Sequence, residues 1–325
     1  MRAYSLIICL VVLAILELIY FKIADHFNII DKPNHRSSHS SITIRGGGII
    51  FALSLLLLYP CFHGLQHVYF LVGLFLISAI SFIDDINPVS NRLRIIVHLI
   101  AVAAMFYQLD LYHLPVYLIM AALIFVIGTI NAINFMDGIN GITGIYGLVA
   151  LSTLYYINTK VGFIEPQIIA LSILSVLVFG YFNFRKKAKC FAGDVGSVSL
   201  AFIILFLILK LIVATQDLKY ILILLVYGLD TFTTIVFRLI RKENIFEAHR
   251  SHFYQYWANE KKKPHILVAA LYGLSQLIIN IALIYLNVQS IFTLVLILIG
   301  CILAFILIRL LTEGYKHLLG NVNLT

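Results

Sequence analysis

Apolar runs about 20 residues long recur from end to end of this 325-residue chain, and they restrict its fold more than any other feature. Such a run can cross the hydrocarbon core of a bilayer. Lipid offers no hydrogen-bond partner to a bare peptide group, so spans of this length are predicted to be helices. Charged residues make up 12% of the chain, against about a quarter in a soluble domain. The predicted fold class is therefore all-α: a polytopic integral membrane protein with about 11 transmembrane helices in one domain, 1–325. The spans are expected at about 4–23, 47–61, 67–83, 95–108, 114–131, 141–158, 166–182, 196–214, 219–238, 266–286 and 289–310. The first run carries no clear small-residue cleavage site and is read as a span, not a removed signal.

The loops between these spans alternate in character. One set holds residues 24–46, 84–94, 131–140, 183–195, 239–265 and the tail after 310, and with span ends it carries 19 of the 23 Lys and Arg. The others are Arg2, Lys160, Lys210 and Lys219. Positive charge gathers on the cytoplasmic side of a membrane protein. This places the N-terminus outside, the C-terminus inside, and accounts for the net charge of +8 without nucleic acid. Cys9, Cys61, Cys190 and Cys301 are scattered and suggest core packing.

Five polar segments all fall on that cytoplasmic side. In "SFIDDINPVSNRLR", Asp84 and Asp85 stand together past the third span. Helical neighbours point about 100° apart, so the pair suits a helix end. Two carboxylates this close repel unless a metal ion, or Arg92 and Arg94, supplies positive charge. A solvated helix terminus is the plainer account. In "NAINFMDGINGITG", Asn131, Asn134 and Asp137 recur every third residue, as do Gly138, Gly141, Gly144 and Gly147. Small residues at that spacing permit close helix approach or backbone contact with a ligand. A glycine-packed corner explains the glycines better than it explains the asparagines and the aspartate.

In "KAKCFAGDVGSVSLAF", Asp194 is flanked by glycines at the mouth of the eighth span, with Ser197 following. Simple helix capping would suit it. So would a Mg²⁺ site, where one or two carboxylates act with substrate phosphates, while Phe191 could stack on a base. "DKPNHRSSHSSITIRGGG" supplies Lys32, His35, Arg36, His39 and Arg45 ahead of three glycines, which suits phosphates, including a lipid phosphate, or plain membrane anchoring. In "RKENIFEAHRSHFYQYW", aromatic and basic residues mix as in an interfacial amphipathic helix. If it is helical, His249 and His252 share a face with Arg250 between them. No cysteine or carboxylate completes a zinc set, so contact with an anionic substrate fits better.

Carboxylates for a hard metal, cations for phosphates and an aromatic for a base are the equipment of an enzyme handling a phosphorylated, nucleotide-linked substrate at a membrane surface. A transporter would place ionisable groups near mid-membrane and polar groups on both faces. Glu17, Lys210 and Asp230 are read as lying toward span ends, where long side chains can snorkel. A non-enzymatic scaffold would use the same glycines and acids for packing and capping.

Taken in order over about residues 31–257, these segments resemble the polyprenyl-phosphate N-acetylhexosamine-1-phosphate transferases. That family includes phospho-MurNAc-pentapeptide transferase and the enzymes that start O-antigen, enterobacterial common antigen and teichoic-acid linkage synthesis. The resemblance implies a helical fold of ten or eleven spans with its active site open to the cytoplasm, in the bacterial inner membrane. It implies transfer of a HexNAc 1-phosphate from a UDP-sugar to undecaprenyl phosphate, releasing UMP. By the same resemblance Asp194 ligates Mg²⁺, with Mn²⁺ as an alternative. Asp84 and Asp85 are essential, one a candidate base toward the lipid phosphate. Asn134, Asp137, Asn140 and Phe191 surround the nucleotide and diphosphate, and His249, Arg250 and His252 recognise the sugar. Lys32, Arg36, His39 and Arg45 are assigned to the lipid phosphate. The run His-Arg-Ser-His departs from members with three histidines and looks more like the O-antigen branch, where FucNAc or QuiNAc is transferred. GlcNAc, for another envelope polymer, is the alternative donor sugar, and a non-catalytic transporter is the alternative function. A homodimer is left open; nucleic acid is not an expected partner.

Overall fold

The computed structural model describes residues 3–31, 42–244, 249–285 and 290–320. A helical stretch stands at each expected span: α1 (Ala3–His26), α2 (Ile49–His63), α3 (Val68–Ile86), α4 (Asn91–Gln108), α5 (Val116–Met136), α6 (Ile142–Val161), α7 (Pro166–Asn183), α8 (Gly193–Thr215), α9 (Leu218–Ile240), α10 (His265–Tyr285) and α11 (Ile291–Glu313). Eight of them, α1, α3, α5 and α7 to α11, are long and apolar enough to cross a membrane. The chain is an all-α, multi-pass membrane protein. Among the others, α2 is short and broken by a π-turn over Ser54–Leu58, and α4 opens on the polar turn Asn91–Arg94.

α8 is the central post. Of its most apolar stretch 72% is buried, against 17% for α5 and 6% for α11, whose outer faces are left to lipid. It packs against α2, α3, α5 and α6. Phe70 of α3 stacks on Phe206 at 3.9 Å between ring centres, and on Phe202 at 5.7 Å. Close approach needs glycine where α2 meets α8: a Cβ on Gly48 would strike the Gly196 backbone.

The connections at one end interlock. Ile30 and Asp31 pair antiparallel with Ile44 and Thr43, and Ile44 bridges in parallel to Cys190. The N–H groups of Gly47 and Gly48 donate to the carbonyls of Phe191 and Ala192 at 2.8 and 3.0 Å. The glycine run after Arg45 therefore docks on the strand leading into α8. At the opposite end His67 pairs with Glu165 at 2.9 Å.

Two expectations change. α5 runs on to Met136, so Asn131 and Asn134 are helical and not in a loop. The helix absorbs them because Asn131 Nδ2 donates to its own Ile127 carbonyl at 2.8 Å, and Asn134 finds a partner on α8. Nor does Asp230 snorkel. It is fully buried, as are Glu17 and Arg309, because Asp230 and Arg309 have partners inside the bundle.

Candidate active site

The polar end is assembled from helix termini. Asp84 and Asp85 occupy the last turn of α3, and each meets its own arginine. Asp84 Oδ2 accepts from Arg94 at 3.0 Å, and its Oδ1 accepts from the Val89 N–H at 2.6 Å. Asp85 Oδ1 accepts from Arg45 Nε at 2.7 Å. The 100° divergence expected at a helix end is what allows the two carboxylates to be neutralised from different directions.

Asp85 also ties α3 to α8. Its oxygens accept the backbone N–H groups of Asp194 and Val195, both at 2.9 Å. These are unsatisfied donors of the first helical turn, at the positive end of the helix dipole. Gly193, at φ +70°, makes room for it; a Cβ there would meet Asp85 Oδ2 and the Gly46 nitrogen. The glycine beside Asp194 thus serves close packing of the protein on itself.

Asp194 is left pointing into the space between the two arginines. Arg45 reaches its Oδ1 at 3.5 Å and Arg94 its Oδ2 at 3.9 Å. The Asp194 side chain is 23% exposed, Asp84 11% and Asp85 0%, so access separates the three acids. From α5, Asn134 Oδ1 accepts from Ser197 Oγ at 2.6 Å, one turn along α8 from Asp194. Asp137, just past α5, accepts from Thr143 Oγ1 at 2.6 Å. Burial pushes its carboxyl up to about 6 despite that bond.

Asn140 Nδ2 donates to the carbonyls of Arg185 and Lys186 at 2.9 and 3.3 Å, fixing the basic turn after α7. Asn183, which sequence reasoning missed, accepts from the Gly141 N–H at 2.7 Å and donates to the Cys190 carbonyl at 2.8 Å. Phe191 is half-buried beside the glycine run, its N–H on the Ile44 carbonyl at 2.8 Å.

The histidine loop joins the same end but is not a helix at His249–His252; helix begins at Phe253. The expected shared helical face is therefore absent. Instead the rings of His249 and His252 lie 5.0 Å apart, and His249 is 6.4 Å from the Phe135 ring. Burial pushes the His249 ring down to about 4, so it is neutral near pH 7. Tyr254 donates to the Phe135 carbonyl at 3.1 Å, and a Cβ on Gly138 would collide with its hydroxyl. Arg250 is half-buried in the same loop. Lys32, Arg36 and His39 lie outside the described residues.

Asp84, Asp85, Asn134, Asp194 and Arg45 are thus brought together, with Asp137 and the histidine loop alongside. Among the described residues no three His, Cys, Asp or Glu side chains form a metal cage. Asp85 accepts three hydrogen bonds and its side chain is fully buried, which leaves Asp194, with Asp84 beside it, as the carboxylates open to a cation. One or two carboxylates, completed by waters and substrate phosphates, is a donor set that fits Mg²⁺.

Residues 67–212 match glycosyl transferase family 4. Over 319 residues the chain is 24% identical to a probable undecaprenyl-phosphate N-acetylglucosaminyl 1-phosphate transferase of Bacillus subtilis, covering 90% of this chain and 88% of that protein. The family match takes in Asp84, Asp85, Asn134, Asp137, Asn140, Phe191 and Asp194.

Proposed function

We propose that this chain, whose residues 67–212 match glycosyl transferase family 4, transfers a HexNAc 1-phosphate from a UDP-sugar to undecaprenyl phosphate. One observation carries this reading: three acids from α3 and α8 and two arginines from separate segments converge at one end of a membrane bundle. A phosphate oxygen of the lipid attacks the β-phosphorus. A new P–O bond forms, the bond from that phosphorus to the bridging oxygen breaks, and UMP leaves with the electron pair.

Both reactants are anions, so charge neutralisation and alignment dominate the barrier. Mg²⁺, held by Asp194 and Asp84, would supply positive charge to the diphosphate. Arg45 and Arg94 are placed to neutralise phosphate oxygens at the same spot. Of the two adjacent acids of α3, Asp84 is the one with access to an incoming lipid phosphate and the better candidate to hold its proton. Asp85 serves as the support beneath Asp194. Asn134, Asp137 and Phe191 border the nucleotide side, and His249, Arg250 and His252 the sugar side.

The acceptor's isoprenoid tail needs an apolar path to this end. A groove between α5, α9 and α11, lined by Phe125, Ala132, Ile133, Leu225, Phe232 and Ile302, supports one. The site end is read as cytoplasmic and the membrane as the bacterial inner membrane, with the N-terminus outside and the C-terminus inside. The relative's name favours GlcNAc as the sugar, whereas the His-Arg-Ser-His loop favours a 6-deoxy-HexNAc of O-antigen synthesis. Purified protein, undecaprenyl phosphate and Mg²⁺ should release UMP from one member of a UDP-HexNAc panel. No release from any member would sink the proposal.

A further inference from the structure

The histidine loop is held from inside the bundle. Asp230 of α9 accepts from the Phe253 N–H at 2.9 Å, the Tyr254 N–H at 3.3 Å and the Tyr272 hydroxyl of α10 at 2.6 Å, and it faces His252 Nδ1 at 3.3 Å. Arg309 of α11 donates from Nη2 to the Ser251 carbonyl at 2.9 Å and from Nη1 to Thr233 and Thr234 at 3.1 and 2.8 Å. Its Nε pairs with Glu313. Four consecutive residues, Ser251 to Tyr254, are thereby fixed by two buried charges. Burying such charges costs several kcal/mol per ion, and well-packed apolar residues often match or exceed the stability they return. What they add is a single geometry.

That geometry has a consequence at His252. With Nδ1 turned to Asp230, Nε2 is the ring nitrogen left to meet a ligand. This atom is buried and has no hydrogen-bond partner among the described residues. Its ring stacks beside Tyr254, whose hydroxyl rests on Phe135 at the end of α5, next to Asp137.

We infer that Asp230 and Arg309 are positioning residues for donor-sugar recognition, holding His252 so that Nε2 hydrogen-bonds a polar group of an N-acetylated sugar. The inference rests on the transferase reading above. A site built to hydrogen-bond one sugar group discriminates against donors that lack or misplace it.

The test uses the full chain in detergent with undecaprenyl phosphate, Mg²⁺, UDP-GlcNAc, UDP-GalNAc and UDP-QuiNAc. Two readouts are taken: kcat/KM for each donor, and the emission of Trp257, the sole tryptophan, which packs on Phe253 at 6.1 Å. Asp230→Asn and Arg309→Met should change the ratio of kcat/KM between the two best donors by about tenfold, with the lipid KM unchanged. Tyr272→Phe removes one bond to Asp230 and should shift the ratio in the same direction by about threefold. It decides the matter if the other variants do not fold. An unchanged ratio, with all donors slowed alike, would reduce the dock to a structural brace and overturn the inference. If the wild type releases no UMP, the transferase reading falls by itself. The positioning role then survives only if a donor shifts Trp257 emission and Tyr272→Phe loses that shift; without a shift in the wild type it falls too.

Discussion

The Asp85 carboxylate caps the helix that carries Asp194, accepting the N–H groups of Asp194 and Val195 at 2.9 Å each. The adjacent acids of α3 therefore differ in kind. Asp85→Asn should lower stability by about 2–4 kcal/mol and reduce turnover, because a neutral amide can serve only part of the cap and loses the Arg45 pair. Asp84→Asn should cut kcat with little loss of stability or nucleotide affinity. Thermal melting and UMP release on both variants check the contrast.

The two arginines should separate in the same way. Arg45→Met leaves the buried Asp85 charge without its cation and should cost about 3–5 kcal/mol. Adding Asp85→Asn to it should return part of that loss, a coupling that a double-mutant cycle measures. Arg94 is 30% exposed, so Arg94→Met should cost about 1 kcal/mol or less while still impairing turnover.

Asp137 gives a pH signature. Its folded-state carboxyl titrates at about 6, above its ordinary value of 3.8. The native state therefore binds the proton more tightly than the unfolded state, and this group's contribution falls as pH rises through 6. Asp137→Asn removes the burden of a buried charge. It should be more stable than the wild type by up to about 3 kcal/mol at pH 8, with the gain vanishing below pH 4, yet bind the UDP-sugar less well. Melting curves across that range check the sign.

Gly138 lies against the Tyr254 hydroxyl, so Gly138→Ala should push the histidine loop off α5. The expected result is a donor KM raised by about tenfold with the lipid KM unchanged, read from initial rates.

Much of this site was legible in the sequence because its acids sit at helix ends, where local pattern and charge asymmetry carry information. Arg94 was visible as a counter-charge for the acid pair. Arg45 was visible as a basic residue, but its pairing with Asp85 was not, because 40 residues separate them and no local spacing encodes the contact. The glycines were seen, yet Gly193 and Gly196 make room for Asp85 and Gly48, a use that only tertiary packing reveals. The histidine loop read as a helix because its composition is amphipathic; Asp230 and Arg309, from distant spans, take its backbone groups instead. Asp230 read as a snorkelling residue near a span end and Arg309 as one of the cytoplasmic-side cations, because a buried pairing leaves no periodic trace.

The most direct test of the central claim is UMP release by Asp194→Asn at saturating Mg²⁺, undecaprenyl phosphate and the preferred UDP-HexNAc. The substitution keeps the size and the cap donated to Asp85 while removing the exposed charge between Arg45 and Arg94. Release should fall by about a thousandfold or more, with the fold and donor binding retained. Turnover within about tenfold of the wild type would contradict a catalytic centre built around Asp194.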